Sequence, residues 1–161
     1  MIIGIISDTH DHLENMKSAI KAFKERGAER LVHCGDLVAP FMVGPMIEAG
    51  FEECVGVFGN NDGEWLWTND WYAKAGRVLK PPAFIEMGGR RIAILHEPMP
   101  EDVMDALPVD IVAFGHTHEI VLKEGPPVIL NPGEACGLLT GRATAAVLDT
   151  ETMKVEIFDI A

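Results

Sequence analysis

The chain has 161 residues, of which 48% are apolar, and this length and composition predict one globular domain over residues 1–161. Its formal net charge is −12, so the electrostatic field of the molecule repels polyanions and excludes duplex nucleic acid as an expected partner. No apolar run reaches the roughly 20 residues that cross a bilayer, and the N-terminus lacks signal-peptide features, which predicts a cytoplasmic protein with no membrane partner.

The first half of the chain alternates apolar runs with helical patterns. Strands and helices are predicted in the order β-α-β-α-β at residues 1–7, 13–27, 30–34, 40–49 and 53–58. Asp11, followed three residues later by Glu14, is typical of a capping box and predicts that Asp11 caps the first helix. This order predicts parallel strands that are joined by right-handed crossovers.

The second half of the chain is richer in predicted strands. These strands are expected at residues 83–87, 91–95, 111–114, 120–122, 128–130, 143–148 and 155–160, with a short helix at 101–107. Gly88-Gly89 and Glu124-Gly125 are typical of hairpin turns. We therefore expect an α/β fold in which a two-layered mixed β-sheet sandwich is flanked by helices.

Polar side chains of the metal-binding type stand where the apolar runs end. They are Asp8, His10, Asp36, Asn60, His96, His116 and His118. In open α/β sheets, the loops beyond the carboxyl ends of parallel strands converge on one crevice. We therefore expect these seven side chains to meet in one site.

The residue types indicate which metals such a site would bind. Carboxylate, amide and imidazole donors suit divalent manganese, iron, nickel, cobalt or zinc. Seven donors are more than one ion needs, whereas two ions about 3.5–4 Å apart that share a carboxylate would use the whole set. The three cysteines are widely spaced and form no Cys-x-x-Cys pair, which argues against a disulfide framework or a thiolate zinc site.

Five short motifs occur in a fixed order along the chain. They are Asp8-Thr9-His10, Gly35-Asp36, Gly59-Asn60-Asn61-Asp62, an apolar strand that ends in His96, and Gly115-His116-Thr117-His118. In order and spacing this series resembles the motifs of the calcineurin-like metallophosphoesterases. The resemblance covers nearly the whole chain, is strongest for the small single-domain phosphodiesterases of bacteria and archaea, and implies a four-layered α/β/β/α sandwich.

The resemblance also implies a role for each donor. One metal would be held by Asp8, His10 and His118, the other by Asn60, His96 and His116, and Asp36 would bridge the two. Asp36, Asn60 and His96 would act in catalysis through a bridging hydroxide that attacks phosphorus and through the ions that clamp the phosphate. The implied cofactors are two divalent ions, with Mn²⁺ expected first and Ni²⁺, Fe²⁺, Zn²⁺ or Co²⁺ as alternatives. The implied function is hydrolysis of a small phosphate diester.

Two positions depart from the pattern of the family. Many relatives have a histidine directly after the motif asparagine, where it can protonate the leaving group, but this chain has Asn61. Many relatives also have His-Gly-His after the fourth strand, where this chain has His96-Glu97-Pro98. An amide cannot supply a proton, so we hypothesise that Glu97 or a water molecule protonates the leaving group.

Other interpretations of the same residues stay open. Taken alone, Asp36 and Asn60 are typical of turns, and His96 is typical of a hydrogen-bonded core histidine. His12 and His33 are assigned structural roles. Trp65, Trp67, Trp71 and Tyr72 follow the asparagine motif closely enough to wall the site or to stack on a nucleobase. Alternatively, Trp67 and Trp71, one helical turn apart, cover the core or a subunit contact, which leaves a homo-oligomer open.

Two other functions also remain open for this chain. It could be a binding or scaffold module that has lost catalysis, like the metallophosphoesterase-like retromer subunit. It could instead be a phosphomonoesterase, which needs additional positive charge to bind the second negative charge of a monoester phosphate. Arg142 is the first side chain to check for that role.

Overall fold

Aliphatic runs form eleven strands in the computed structural model, which describes residues 1–160. The strands are β1 (Ile2–Ile6), β2 (Ala28–His33), β3 (Glu53–Val57), β4 (Gly76–Leu79), β5 (Ala83–Met87), β6 (Arg90–Ile94), β7 (Ile111–Ala113), β8 (Ile120–Lys123), β9 (Val128–Pro132), β10 (Thr144–Asp149) and β11 (Val155–Asp159). The helices are α1 (Leu13–Glu25), a 3₁₀ helix (Pro40–Val43), α2 (Gly44–Ala49), α3 (Trp65–Tyr72) and α4 (Glu101–Asp105).

The strands form two mixed sheets. The first has six strands in the order β11-β10-β1-β2-β3-β4, and the second has five in the order β5-β6-β7-β9-β8. In the first sheet β1 to β4 run parallel, and in the second β6, β7 and β9 run parallel. The remaining pairings are antiparallel and lie toward the edges. Both parallel sets therefore have carboxyl-end loops that can carry a site.

The apolar residues define four layers. Ile3 and Ile5 of β1 pack between the two sheets with Ile92 of β6. Phe23 of α1 packs in a second cluster on the other face of the first sheet. Met104 of α4 packs in a third cluster on the outer face of the second sheet. The expected α/β fold, a two-layered mixed sheet with helices on its outer faces, is confirmed.

Several local expectations differ from the structure. The single helix expected at residues 40–49 is divided into a 3₁₀ helix and α2, and the sequence patterns did not predict α3 or β4. The predicted capping by Asp11 was wrong. The residue that caps α1 is His12, whose ring accepts a hydrogen bond from the Asn15 amide. Asp11 has a positive φ of 59° and instead accepts a hydrogen bond from the Ala39 amide, which ties this loop to the loop after β2.

No helix within residues 1–160 has both the length and the apolar character needed to cross a membrane.

Candidate metal centre

The seven predicted ligands lie on loops that follow parallel strands of both sheets. They follow β1 (Asp8, His10), β2 (Asp36), β3 (Asn60), β6 (His96) and β7 (His116, His118). Because the two sheets pack face to face, these loops meet at one edge of the sandwich. The structure brings all seven side chains into one connected group of short contacts.

The first group of donors surrounds a carboxylate oxygen of Asp8. His118 Nε2 lies 3.5 Å from Asp8 Oδ1, and His10 Nε2 lies 3.9 Å from the same oxygen. Donor atoms of these three residues all lie within 4.8 Å of one another, which is a spacing that one cation can bridge. Asp8, Asp36 and His96 form another group that meets the same limit.

Asp36 connects the first group to a second one. Its Oδ2 lies 3.5 Å from His10 Nε2 and 3.4 Å from His96 Nε2. On the far side, Asn60 Oδ1 lies 2.9 Å from His96 Nε2 and 2.9 Å from His116 Nδ1. Asp36 therefore lies within reach of imidazoles from both groups, as a bridging carboxylate must.

Hydrogen bonds fix the tautomers of two imidazoles. His96 Nδ1 donates to the carbonyl oxygen of Cys34 over 2.8 Å, and His118 Nδ1 donates to Glu134 Oε2 over 2.7 Å. A neutral ring protonated at Nδ1 carries its lone pair on Nε2. Both Nε2 lone pairs face carboxylate or amide oxygens, which are also hydrogen-bond acceptors, so no hydrogen bond can form between them. Such partners at Nδ1 are typical of metal-binding histidines.

Glu134 is a functional candidate that the sequence reasoning missed. Its carboxylate is fully buried and also accepts hydrogen bonds from the backbone amides of Leu139 and Thr140 and from the Thr140 hydroxyl. Burial alone would raise the pKa of Glu134, but the hydrogen bonds from His118 and Thr140 hold it well below its usual range. Glu134 follows the apolar strand β9, so a search for carboxylates after every predicted strand could have found it.

A buried atom at the centre is left without a partner. Among residues 1–160, no group forms a hydrogen bond with His10 Nε2 although this atom is buried. Burial raises the pKa of Asp8. Burial also acts to raise the pKa of Asp36, but the two hydrogen bonds that Asn61 donates to its carboxylate help to bring it well below its usual value. The unpartnered nitrogen and the converging lone pairs fit bound divalent cations, which would satisfy all of them at once.

The backbone at the centre is held in an unfavourable conformation. Positive φ angles, which L-residues rarely adopt, occur at five of the seven predicted ligands: Asp8 (52°), His10 (39°), Asp36 (56°), His116 (66°) and His118 (61°). Each such residue costs on the order of 1–3 kcal/mol and persists only where its surroundings enforce it. The hydrogen bonds between the loops supply that enforcement.

Asp62 organises the loops after β2 and β3. Its buried carboxylate accepts hydrogen bonds from the backbone amides of Gly59 (2.6 Å), Val38 (2.6 Å) and Asp36 (3.1 Å). Burial raises the pKa of Asp62, and the amides of Gly59 and Val38 oppose that shift. The sequence of this segment is by itself typical of a turn, whereas in the structure Asp62 holds Asp36 and the Asn60 loop together.

We predict that a methyl group at position 59 disturbs the centre. A Cβ on Gly59 would overlap both the carboxylate and the backbone nitrogen of Asp36. Gly59→Ala should therefore lower the free energy of unfolding by about 1–3 kcal/mol, as overpacked sites do, and reduce turnover by displacing Asp36. Gly63→Ala is the matched control, because no heavy atom lies within 4 Å of its Cβ. Urea unfolding and initial rates of both variants measure these effects. Equal losses of stability and turnover in Gly59→Ala and Gly63→Ala would contradict the prediction.

His33 has the structural role that the sequence predicted. The ring is fully buried, its Nδ1 accepts a hydrogen bond from the Gly35 amide, and its Nε2 donates to the Thr9 hydroxyl. Burial lowers the pKa of His33 to about 3 from the usual 6.5. Between these two pH values, His33 is therefore protonated in the unfolded chain but not in the folded chain.

His33 should make stability fall as the solution is acidified. Because the unfolded state binds the extra proton, the free energy of unfolding should decrease by about 2 kcal/mol between pH 7 and pH 5 through His33 alone. His33→Gln removes this contribution. The free energy of unfolding of the variant should therefore decrease by about 2 kcal/mol less than that of the wild-type protein between pH 7 and pH 5. Urea unfolding at both pH values, with chelator present throughout, measures the difference, in which the other histidines cancel. Parallel pH profiles of the two proteins would contradict the prediction.

The positions that depart from the family pattern have clear surroundings. Asn61 donates to both carboxylate oxygens of Asp36, through its backbone amide over 2.8 Å and its side-chain amide over 2.7 Å. Glu97 is exposed and lines a cavity together with His96. Arg142 forms an ion pair with Asp159.

The family model of the calcineurin-like phosphoesterase superfamily domain matches residues 1–153. The chain belongs to this superfamily. It is 37% identical over 157 residues to Phosphodiesterase MJ0936 of Methanocaldococcus jannaschii, with 94% of each chain covered. The predicted family, including the branch of small single-domain members, is thereby confirmed.

Solved structures of other proteins share the architecture. An archaeal phosphodiesterase has a TM-score of 0.88 and 34% identity to this chain, with 99% of each chain covered. The fold is also shared with the phosphoesterase Yfce of E. coli, which covers all of both chains with a TM-score of 0.70 and 20% identity. Vacuolar Protein Sorting 29 of Cryptosporidium parvum has the same fold, with a TM-score of 0.69, 17% identity and coverage of 98% and 95%.

Membership in this superfamily establishes the class of chemistry. The protein is a metal-dependent phosphoric ester hydrolase. The family implies divalent metal ions, and the structure contains groups of side chains that could hold them.

Proposed function

We propose that this protein is a phosphodiesterase that hydrolyses small phosphate diesters at a centre for two divalent metal ions. The position of Asp36 carries the proposal, because its carboxylate contacts His10 of one donor group and His96 of the other. A single-ion site would need only one of these groups. The name of the archaeal relative, a phosphodiesterase, supports the same reaction.

Each ligand has a defined part in this proposal. Asp8, His10 and His118 would hold one ion, Asn60, His96 and His116 the other, and Asp36 would be shared. Two divalent ions in such a centre supply an activated water nucleophile and stabilise the charge that builds on the phosphate oxygens. Glu134 and the Cys34 carbonyl keep the Nε2 lone pairs of His118 and His96 directed into the centre.

Charge favours a diester over a monoester. A monoester carries more negative charge at neutral pH and needs an additional cation near the phosphate. Arg142, the cation that the sequence singled out, is exposed and its guanidinium is occupied by Asp159. The net charge of −12 further opposes polyanionic substrates such as duplex nucleic acid.

We propose Mn²⁺ as the native metal, with Ni²⁺, Fe²⁺, Zn²⁺ and Co²⁺ as alternatives. The proposed ligands combine four imidazoles with two carboxylates and one amide oxygen, a mixture that suits these ions better than Mg²⁺ or Ca²⁺. No cysteine is among them, although Cys136 donates a hydrogen bond to Glu134 behind His118.

Removal and restoration of metal test the proposed function. The purified protein is stripped with chelator and reconstituted separately with manganese, nickel, zinc or magnesium, and hydrolysis of bis(p-nitrophenyl) phosphate and p-nitrophenyl phosphate is followed. We expect one or more of the transition metals to restore diester hydrolysis with about two ions bound per chain. Faster hydrolysis of the monoester would identify a phosphomonoesterase. Failure of every ion to restore turnover would favour a scaffold function.

We further propose that Glu97 protonates the leaving group, since Asn61 is engaged with Asp36 and cannot supply a proton. Glu97→Gln should lower turnover of esters with alkyl leaving groups about 10-fold, below the usual contribution of a general acid because water remains available. Esters of p-nitrophenol, which need no proton to leave, should be hydrolysed at the wild-type rate. Rates and pH profiles with both ester classes measure this. An unchanged rate and profile with alkyl esters would assign the proton to water.

A further inference from the structure

A cavity adjoins the proposed centre on the side of β3 and β6. It has a volume of about 420 Å³ and shares two of its lining residues, Asn60 and His96, with the second donor group. Cavities of about 300–1,000 Å³ are typical of sites for small organic ligands. A phosphate held at the centre would therefore have one of its organic groups beside this cavity.

The wall of the cavity is aromatic and rigid. Trp65 lies parallel to Phe58, with ring centroids 4.8 Å apart and an angle of 16° between the planes. The indole N–H of Trp65 donates to the carbonyl oxygen of Asp62, the residue that also holds the Asp36 loop. Trp65 lines the cavity with 43% of its surface exposed, and the contact with Phe58 and the bond to Asp62 fix the position of its ring. A fixed aromatic side chain loses little entropy when it binds.

The cavity also contains an unpaired cation. Lys80 lines it and its ammonium lies 5.3 Å from the centroid of the Trp65 ring, within the range of a cation–π contact. Lys80 forms no ion pair with any carboxylate in residues 1–160, in contrast to Arg142 and Lys123. The cavity thus combines an aromatic side chain with one positive charge, carried on the flexible side chain of Lys80, in an otherwise acidic protein.

We propose that this cavity is a subsite for a planar aromatic or heteroaromatic group carried by the substrate, which stacks on Trp65 beside Lys80. The inference rests on the proposed phosphodiesterase function and narrows its substrate class to esters with at least one such group. The continuity of the cavity with Asn60 and His96 supports this occupant, because a group bound there remains attached to a phosphate at the centre.

Two ligands that differ only in a heteroaromatic ring test the subsite. Adenosine 5′-monophosphate and ribose 5-phosphate are compared as competitive inhibitors of bis(p-nitrophenyl) phosphate hydrolysis by the reconstituted enzyme. We expect the nucleotide to inhibit with a constant about 10-fold lower, as stacking on one aromatic side chain provides. Trp65→Leu should abolish this preference and raise KM for the aryl diester with little change in kcat. Equal inhibition by both ligands in the wild-type enzyme would overturn the proposal.

Two further variants separate stacking from structural effects. Trp67→Leu is the matched control, since Trp67 lies on the same helix, is 65% exposed and does not line the cavity. It should keep the wild-type preference. Trp65→Phe loses the bond to Asp62 but retains an aromatic face. Because stacking needs only that face, this variant should also keep most of the preference for the nucleotide. Loss of the preference in Trp65→Phe, or in Trp67→Leu, would show that stacking on Trp65 is not its cause.

Binding to the metal-free protein gives a readout independent of activity. Substitution of Trp67 and Trp71 by phenylalanine leaves Trp65 as the only tryptophan of the chain. Adenosine 5′-monophosphate should then quench the fluorescence of the chelator-treated protein in a saturable way, whereas ribose 5-phosphate should not. If the reconstituted enzyme lacks diesterase activity but this quenching occurs, the proposed function fails and the subsite stands. Active enzyme without quenching and without an inhibitor preference overturns the subsite alone.

Discussion

Asp36→Asn should lower turnover of a phosphate diester by at least about 100-fold, beyond the 10–100-fold that outer partners of metal ligands typically contribute. Asp36 is the carboxylate that reaches both His10 and His96. Asparagine has nearly the same shape but replaces one carboxylate oxygen by an NH₂ group, which offers protons instead of a lone pair. The variant also removes one of the negative charges that two cations would need. We therefore expect about one bound ion per chain or fewer.

Asp110→Asn provides a matched control for this experiment. Asp110 is a carboxylate outside the centre that accepts hydrogen bonds from the backbone and side chain of Arg91. Its substitution makes the same chemical change and should leave metal content and turnover as in the wild-type protein. Metal analysis after gel filtration and initial rates with bis(p-nitrophenyl) phosphate measure both effects. Wild-type metal content and turnover in Asp36→Asn would refute the shared-ligand role.

Glu134→Gln should weaken the binding of one ion by about 10–100-fold. The carboxylate of Glu134 accepts the Nδ1 proton of His118 and also the backbone amide of Thr140. A glutamine has only one acceptor oxygen, so its NH₂ group must face one of these donors. When it faces the imidazole, the ring has to carry its proton on Nε2, and the lone pair that points toward Asp8 is lost.

Thr140→Val separates this effect from simple destabilisation of the loop. It deletes the hydroxyl that donates to Glu134 but leaves the contact between Glu134 and His118 intact. We expect a loss of about 1 kcal/mol in the free energy of unfolding and no change in metal affinity. Competition titration with a chromophoric chelator measures the affinity of each ion. Equal weakening in both variants would mean that Glu134 acts only through the stability of its loop.

The two halves of the centre are supported in different ways. On the side of the first sheet, Asp62 holds the loops of Asp36 and Asn60 through backbone amides. On the side of the second sheet, Glu134 orients His118 directly. We therefore expect changes at Asp62 to affect folding and catalysis together, and changes at Glu134 to affect mainly the ion that His118 would hold.

Much of the fold was evident in the sequence because its strands are buried. The buried strand β1 is apolar on both faces, one toward the other sheet and one toward α1, so it stands out as an uninterrupted apolar run. Segments with weaker local patterns were missed. The strand β4 is a short edge strand whose Gly76 lies against the backbone of Cys54, a contact that no local pattern reveals.

The candidate site was predictable in part for a related reason. The position of Asp8, Asp36 or His96 directly after an apolar strand is a local property, and parallel strands end on the same side of a sheet. Glu134 escaped notice because it follows β9 by a turn, and its partner His118 belongs to a different strand-end loop. From the sequence, the only inference about Asn61 is that an amide cannot protonate the leaving group. The structure shows in addition that Asn61 donates hydrogen bonds to both carboxylate oxygens of Asp36.

The sequence by itself determined the family, the layered fold and the donor types at the strand ends, because these follow from local patterns and the order of motifs. The tertiary structure alone decided that Asp36 lies between two groups of imidazoles, that Glu134 stands behind His118, and that Trp65 walls a cavity beside His96. These relations join loops of two different sheets. Their distances depend on how the apolar faces of the sheets pack against each other, which the periodicity of a single segment does not encode.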